Sequence, residues 1–318
     1  MVKNWLRNNT KPEHRQAMRD ALTKARRVWG PFLGQLSHYA PRPVDTPKKY
    51  FKKRKLSAYP TLSIVTPSYN QAHFLERTIL SVLNQQYPAL EYIIQDGGST
   101  DQSVDVIKKY EQQLTHWQSE KDNGQSQAIN LGFTHAKGDI MAYLNSDDIL
   151  SPGTLHYVVD YFNRHPDVDV VYGHRILIDA DDQEVGRWVL PAHDGAALTW
   201  ADYIPQETLF WRRSIWNKAG GQIDESFQFA MDWDLLLRFK KAGARFKRLP
   251  RFLGKFRVHQ AQKTSSAINE RGLQEMQRLH FESHGYQPSW ETVNKNVIPY
   301  LVKHLWVHYL YRLKILNY

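Results

Sequence analysis

From Thr61 onward the chain alternates short, continuous apolar runs with stretches in which apolar residues recur every three or four positions. LSIVT, starting at Leu62, has the length and β-branched content of a buried strand, and Leu75, Ile79, Val82 and Leu83 then mark one face of a helix. LEYIIQ from Leu90 predicts a second strand, Val104, Ile107 and Tyr110 a second helix, and LTHWQS from Leu114 a short third strand. QAINLGFTHA reads as a helix and DIMAYL as a fourth strand. Strand and helix in repeated alternation predict an α/β fold, a mostly parallel sheet with helices on both faces.

After Asp148 the order changes. A helix is expected near Pro152, then a strand at DVVYG, then a hairpin through RILIDADDQEVGRWVL turning near Asp181 and Asp182. FAMDWDLLLRFKKAG predicts a further helix that Gly243 would cap. Near the carboxyl end Pro299 is expected to open a helix whose stripe is Val302, Leu305, Trp306, Tyr309 and Leu313, flanked by Lys303, Arg312 and Lys314. At the amino end Thr10 and Glu13 have capping-box spacing ahead of Met18, Leu22, Ala25 and Trp29 on one helical face. These patterns divide the chain into a basic helical extension and linker (1–58), a central domain (59–265) and a carboxyl-terminal helical region (266–318).

Four polar clusters fall where predicted strands end. In TPSYN, Pro67 fixes a turn and Asn70 either bonds a ligand or caps the next helix. In QDGGSTD, Gly97 and Gly98 allow close backbone approach beside Asp96; a tight turn capped by Ser99 accounts for the glycines equally well. In LNSDD, a hydrophobic strand runs directly into Asn145, Asp147 and Asp148. Carboxylate and amide oxygens there suit a hard divalent cation whose remaining ligands a diphosphate supplies, whereas Asp148 also reads as a helix cap. In MDWD, Asp232 and Asp234 open a helix, where acids are favoured by the helix dipole alone. His259, one of 14 histidines, gains a role only if it reaches the cation of Asp147, and imidazole suits Mn²⁺ better than Mg²⁺.

Charge narrows the class of partner. The chain of 318 residues carries +10, but residues 1–58 hold 15 Lys and Arg against three acids, a net +12, so the rest is slightly acidic. The body is therefore not a basic nucleic-acid surface. Without cysteine there is no disulfide or thiolate metal site. No segment has the apolar length of a secretory signal or a spanning helix, so the expected location is cytoplasmic and peripheral on the inner face of the cell membrane.

Taken together and in this order, SIVTPSYNQ, YIIQDGGSTD, GQSQAINLGF, LNSDD, PQETLFWRRS and DWDLLLRF resemble the family 2 glycosyltransferases with the GT-A fold, bacterial type, over about residues 60–265. The resemblance implies a nucleotide pocket lined by Pro67, Tyr69 and Asn70, with Asp96 accepting from uracil N3–H. Asp122, Gln125 and Asn145 would lie near the nucleotide or donor sugar, and Asp147 would hold a divalent cation, Mn²⁺ or Mg²⁺, to which His259 is a candidate second ligand on its own chemistry. Asp232 would be the base, and Gln206 and Trp211 would sit on the acceptor side. Two positions depart from the family pattern: Asn145 replaces the first acid of Asp-x-Asp, and Met231 replaces the acid before Asp232.

The implied activity is inverting transfer of a sugar from a nucleotide sugar, UDP-linked in this reading, to a hydroxyl of a saccharide or lipid-linked acceptor in cell-surface polysaccharide or glycolipid synthesis. An anionic membrane is an expected partner and nucleic acid is not. A nicotinamide oxidoreductase is disfavoured, because PSYN stands where G-x-G-x-x-G would follow the first strand. A nucleotidyltransferase, lacking its glycine-rich loop, and a catalytically weakened membrane- or nucleic-acid-binding adaptor are the remaining alternatives.

Overall fold

The computed structural model describes residues 36–52, 55–259 and 270–318. The expected helix over residues 12–29 lies outside the described residues. The core is a mixed nine-stranded sheet in the order β3-β2-β1-β4-β8-β6-β9-β5, with β7 hydrogen-bonded to β6. Strands β1 (Leu62–Ser68), β2 (Leu90–Asp96), β3 (His116–Ser119) and β4 (Ile140–Tyr143) are parallel, as the alternation predicts. The later strands β5 (Ile149–Leu150), β6 (Val170–Ile178), β7 (Glu184–Trp188), β8 (Phe210–Arg212) and β9 (Phe246–Arg257) pair antiparallel except for β6 with β9. The expected mostly parallel sheet thus holds for the first half of the chain only.

Helices α1 (Ala72–Leu83), α2 (Ser103–Tyr110), α3 (Gln125–Thr134) and α4 (Thr154–Arg164) connect the strands, and short α5 (Gly195–Leu198) and α6 (Arg213–Lys218) follow. Then come α7 (Met231–Lys241), α8 (Glu270–His284) and α9 (Trp290–Arg312). Side chains of the central strands alternate between two cores. Val65, Ile93, Met141 and Tyr143 pack on one side with Ile129 and Phe133 of α3, while Ile64, Ile94, Ile140 and Ala142 pack on the other with Leu75 and Ile79 of α1. Each of the buried Val, Ile, Leu, Met and Phe side chains contributes roughly 1.5–3 kcal/mol by leaving water. Gly243, expected as a cap, has φ +85° just past α7, a conformation in which a Cβ is disfavoured.

Register fixes where the chemistry lies. Ser68 pairs with Asp96, and Asp96 with Ser119, so three strands finish level at one edge of the sheet, where β4 also ends. The turn after β4 is held against β9, because Ile149 and Leu150 pair antiparallel with Lys255 and Gly254. That pairing delivers the end of β9 to the acids of LNSDD.

Two expectations about the flanks change. The stretch before β1 is not a bare linker: Tyr50 and Leu56 are buried, the Tyr50 hydroxyl accepts from the Phe252 N–H at 2.9 Å, and Arg42 pairs with Glu184 at 2.7 Å. The carboxyl-terminal helix begins at Trp290 rather than at Pro299, which lies inside it. It does pack on the body, but through Val293, Tyr300, His304 and His308, leaving the expected stripe on the outside.

Candidate active site

A cleft of about 590 Å³ opens at the level edge of the sheet. Pro67, Ser68 and Tyr69 line it from the end of β1, Gly97 and Gly98 from β2, Lys121, Asp122 and Gln125 from beyond β3, and Asn145 and Asp147 from β4. Phe256 of β9 closes one wall. Tyr69 is largely exposed and presents its ring at the mouth.

The polar side chains are held by short local bonds. Asp122 accepts from the Gly124 N–H at 2.8 Å, and a Cβ on Gly97 would stand 2.8 Å from its Oδ2, so the absence of a side chain at Gly97 makes room for this carboxylate. Asn145 Oδ1 accepts from Gln125 Nε2 at 2.7 Å, linking the β4 turn to the start of α3. The amide at position 145 therefore has a partner that tethers it within the cleft.

Asp147 Oδ2 and His259 Nε2 lie 2.9 Å apart, both only partly exposed. A carboxylate oxygen and an imidazole nitrogen are donor types that a divalent cation site can use. Among the described residues no cluster of three or more His, Cys, Asp or Glu side chains completes one. The residues therefore fit a cation whose shell a bound diphosphate finishes, and the mixed O/N set suits Mn²⁺ better than Mg²⁺. Asp148, by contrast, points inward: it is buried and accepts from the Arg257 N–H at 3.0 Å. Desolvation, then the charges of Asp147 and Glu207, push its carboxyl well above the usual range.

Several expected residues stand elsewhere. Asp96 is fully buried and accepts from Ser99 N–H at 2.8 Å, Ser99 Oγ at 2.6 Å and Ser119 Oγ at 2.7 Å, so its carboxylate ties β2 to its own turn and to β3. Asn70 is in the left-handed region, φ +51°, and its Oδ1 accepts from the Thr100 N–H at 2.8 Å, clamping the two turns together. Neither lines the cleft. Trp211 is no acceptor contact either: its ring has no exposed surface and lies among Phe133, Tyr143, Trp216 and Phe239. Gln206 is also buried, donating to the Tyr143 carbonyl at 2.8 Å.

Asp232 is on the first turn of α7, half-buried, with Oδ1 accepting from the Trp233 N–H at 2.9 Å. Desolvation raises its pKa, opposed by that backbone bond and by the positive charge of Arg175. Asp234 is committed to Arg238 at 2.8 Å through Arg238 Nε, which leaves Asp232 as the available carboxylate of the pair. Met231, where an acid is usual, is buried, and Ser126 Oγ donates to its sulfur at 2.9 Å; this joins α7 to the cleft-lining start of α3.

Three features escaped the sequence reading. Arg175 and Glu207 form a buried ion pair, Nε to Oε1 2.8 Å, with Arg175 over the rings of Trp188 and Phe256. Asp202 is exposed at the surface, and its carboxyl is shifted upward, by desolvation and then by the charge of Asp232. Glu275 of α8 accepts from three successive N–H groups, those of Gln228, Phe229 and Ala230, at 2.9, 2.8 and 2.9 Å, and so holds the turn that leads into Asp232. PQET offered a hint of Glu207; nothing local signals Glu275.

Comparison with known proteins identifies the family and the fold. Residues 63–221 match the model of glycosyl transferase family 2, half of the chain, and the chain belongs to that family. It is 32% identical over 189 residues to an uncharacterized glycosyltransferase of Mycobacterium tuberculosis, covering 58% of this chain and 70% of the relative. To the chondroitin synthase of Escherichia coli it is 28% identical over 205 residues, 62% of this chain but only 30% of that longer enzyme. Among solved structures it is similar to Staphylococcus aureus TarS in complex with UDP-GlcNAc (TM-score 0.59, 17% identity, 77% of this chain and 72% of TarS). It is also similar to a mannosyltransferase of Pyrobaculum calidifontis in complex with GDP-Man and Mn²⁺ (TM-score 0.56, 20% identity, 92% and 81%). The fold is thus GT-A, and the enzyme is a glycosyltransferase. Among the described residues no helix is long and apolar enough to cross a membrane.

Proposed function

We propose that this chain transfers a sugar from a UDP-sugar to a hydroxyl of a saccharide or lipid-linked acceptor, with inversion, in cell-surface polysaccharide or glycolipid synthesis. The observation that carries the reading is the cleft at the sheet edge, where Asp122, Gln125 and Asn145 stand beside the Asp147–His259 pair. Similar proteins bind UDP-GlcNAc or GDP-Man, which supports a nucleotide-sugar donor.

In this mechanism Asp232 accepts the proton of the acceptor hydroxyl, whose oxygen attacks the anomeric carbon from the face opposite the diphosphate. The anomeric C–O bond breaks, its electron pair leaves with the nucleoside diphosphate, and the configuration inverts. A divalent cation held by Asp147, His259 and the donor phosphates would neutralise the charge that develops on the leaving group. With Asp96 engaged by Ser99 and Ser119, the base of the nucleotide is met by the turn those bonds shape and by the exposed ring of Tyr69. The +12 extension would hold the enzyme at the inner face of the cell membrane, near a lipid-linked acceptor.

A screen of UDP- and GDP-sugars with Mn²⁺, read by nucleoside diphosphate release, tests the reading. Release from a UDP-sugar is expected; release from GDP-sugars alone overturns the choice of base, and release from none overturns the transferase reading.

A further inference from the structure

α9 is apolar on two opposite sides. Toward the body, Val293, Tyr300, His304 and His308 are buried, Tyr300 stacks near Tyr203 at 4.1 Å between ring centroids, and Tyr311 meets Phe252 at 5.7 Å. Away from it, Ile298, Val302, Trp306 and Leu313 are 53%, 60%, 65% and 68% exposed. Leu305 and Tyr309, half-buried, fill the same stripe. Their spacing of three and four residues puts all six on one face. A surface helix ordinarily turns polar residues outward, and a contiguous apolar face on a folded body marks a contact surface. Phe281, Tyr286 and Trp290 are exposed in the segment leading into it.

Charge selects the partner. From Trp290 to the end the chain carries Lys295, Lys303, Arg312 and Lys314 against Glu291 alone. Lys303 pairs with Asp194 at 2.9 Å, and Lys295, Arg312 and Lys314 are exposed near the two ends of the stripe. A second copy of this helix packed face to face would bring like charges together. Residues 1–35, with eight basic and two acidic side chains, are also of the wrong sign to cover it. A planar partner that is apolar beneath and anionic at its surface satisfies both features, and Trp and Tyr on the stripe suit its interface.

We propose that the outward face of α9 docks on an anionic lipid bilayer. This rests on the membrane part of the proposed function and names the surface that makes the contact; it does not depend on the identity of donor or base.

The test is co-sedimentation of the full chain with vesicles of phosphatidylglycerol and phosphatidylcholine in equal parts, against phosphatidylcholine alone. A triple variant, Ile298→Ser, Val302→Ser and Trp306→Ser, alters exposed positions only. Binding to the anionic vesicles, weakened by high salt and at least ~10-fold weaker in the triple variant with an unchanged melting temperature, is expected. If the full chain binds neither vesicle, the membrane reading itself fails. If it binds and the triple variant binds equally, the contact lies elsewhere and this inference alone is overturned. A variant that instead converts a dimer to a monomer, or melts earlier and exposes residues 1–35 to protease, would assign the face to a second copy or to the chain's own extension, and would also overturn it. A single Lys314→Glu variant supplies an independent arm, since its weaker binding is expected from charge alone.

Discussion

His259 Nε2 stands 2.9 Å from Asp147 Oδ2, across 112 residues of sequence, because β5 pairs with β9 and draws the end of one strand onto the turn after another. In the proposed mechanism the two groups hold the cation jointly, and removing either is expected to act on the same property. Asp147→Ala and His259→Ala should each weaken Mn²⁺-dependent binding of UDP-sugar while leaving the metal-free component nearly unchanged. Calorimetry with and without Mn²⁺ checks this. Equal metal dependence in wild type and Asp147→Ala would remove the aspartate from the site.

Asp232 presents a different signature, since it is expected to touch the acceptor rather than the donor. Asp232→Asn keeps shape and the bond to the Trp233 N–H but cannot take a proton. Turnover should fall at least ~10²-fold with donor affinity retained. Because burial raises the pKa of this group and it works ionised, the rate of the wild type should fall on acidification through a value above the ordinary carboxylate range. A rate that is flat down to the usual range of a free aspartate would move the role to another group.

Much of this was legible in the sequence for a physical reason. β1, β2 and β4 are runs buried on both faces, so their continuous apolar residues had one reading, and the polar residues after them fell at a common edge. What was not legible depended on partners far along the chain. Trp211, in a run resembling an acceptor segment, is surrounded by rings from β4, α3, α6 and α7 that no local pattern reveals. Asp96 looked free at a strand end until Ser119, a residue of the neighbouring strand, took one of its oxygens. In α9 a stripe was correctly seen but assigned no side, because a helix apolar on both faces carries no periodic signal of which one packs.

Gly97 offers a test of the cleft wall through its close approach to Asp122. In Gly97→Ala the new methyl would meet Asp122 Oδ2 at 2.8 Å, so the carboxylate must swing away from Gly124. Overpacking of this kind costs roughly 1–3 kcal/mol. The expected result is a raised KM for the donor with little change in acceptor KM; an unaltered donor KM would show that Asp122 is not part of the donor wall.

Glu275 is expected to behave as a positioning residue. Its carboxylate stays below the ordinary range, because bonds from three backbone N–H groups outweigh the desolvation that would raise it. Glu275→Ala leaves those donors unpaired, a loss of about 1–3 kcal/mol. Turnover should drop with donor affinity held, and Glu275→Gln, which keeps an acceptor, should recover part of it. A fall in donor affinity equal to the fall in turnover would instead indicate general loss of the fold.

The seat of α9 should respond to pH through its histidines. Desolvation holds His304 at about 3, helped by His308 and His38, and holds His308 at about 4, helped by Arg312. Buried His174, with Arg248 nearby, faces the same region and is also kept neutral. These folded values lie below that of an unfolded histidine, ~6.5, so the unfolded chain takes up protons first as pH falls. The stability they contribute is therefore complete above ~6.5 and is lost progressively below it, down to about 4 for His308 and about 3 for His304, each of these two costing up to about 2 kcal/mol by pH 5. Hydrogen exchange of α9 should accelerate over that window before the central strands respond. In a His304→Leu, His308→Leu double variant the acceleration should be much reduced, and an unchanged pH profile there would place the sensitivity in other groups.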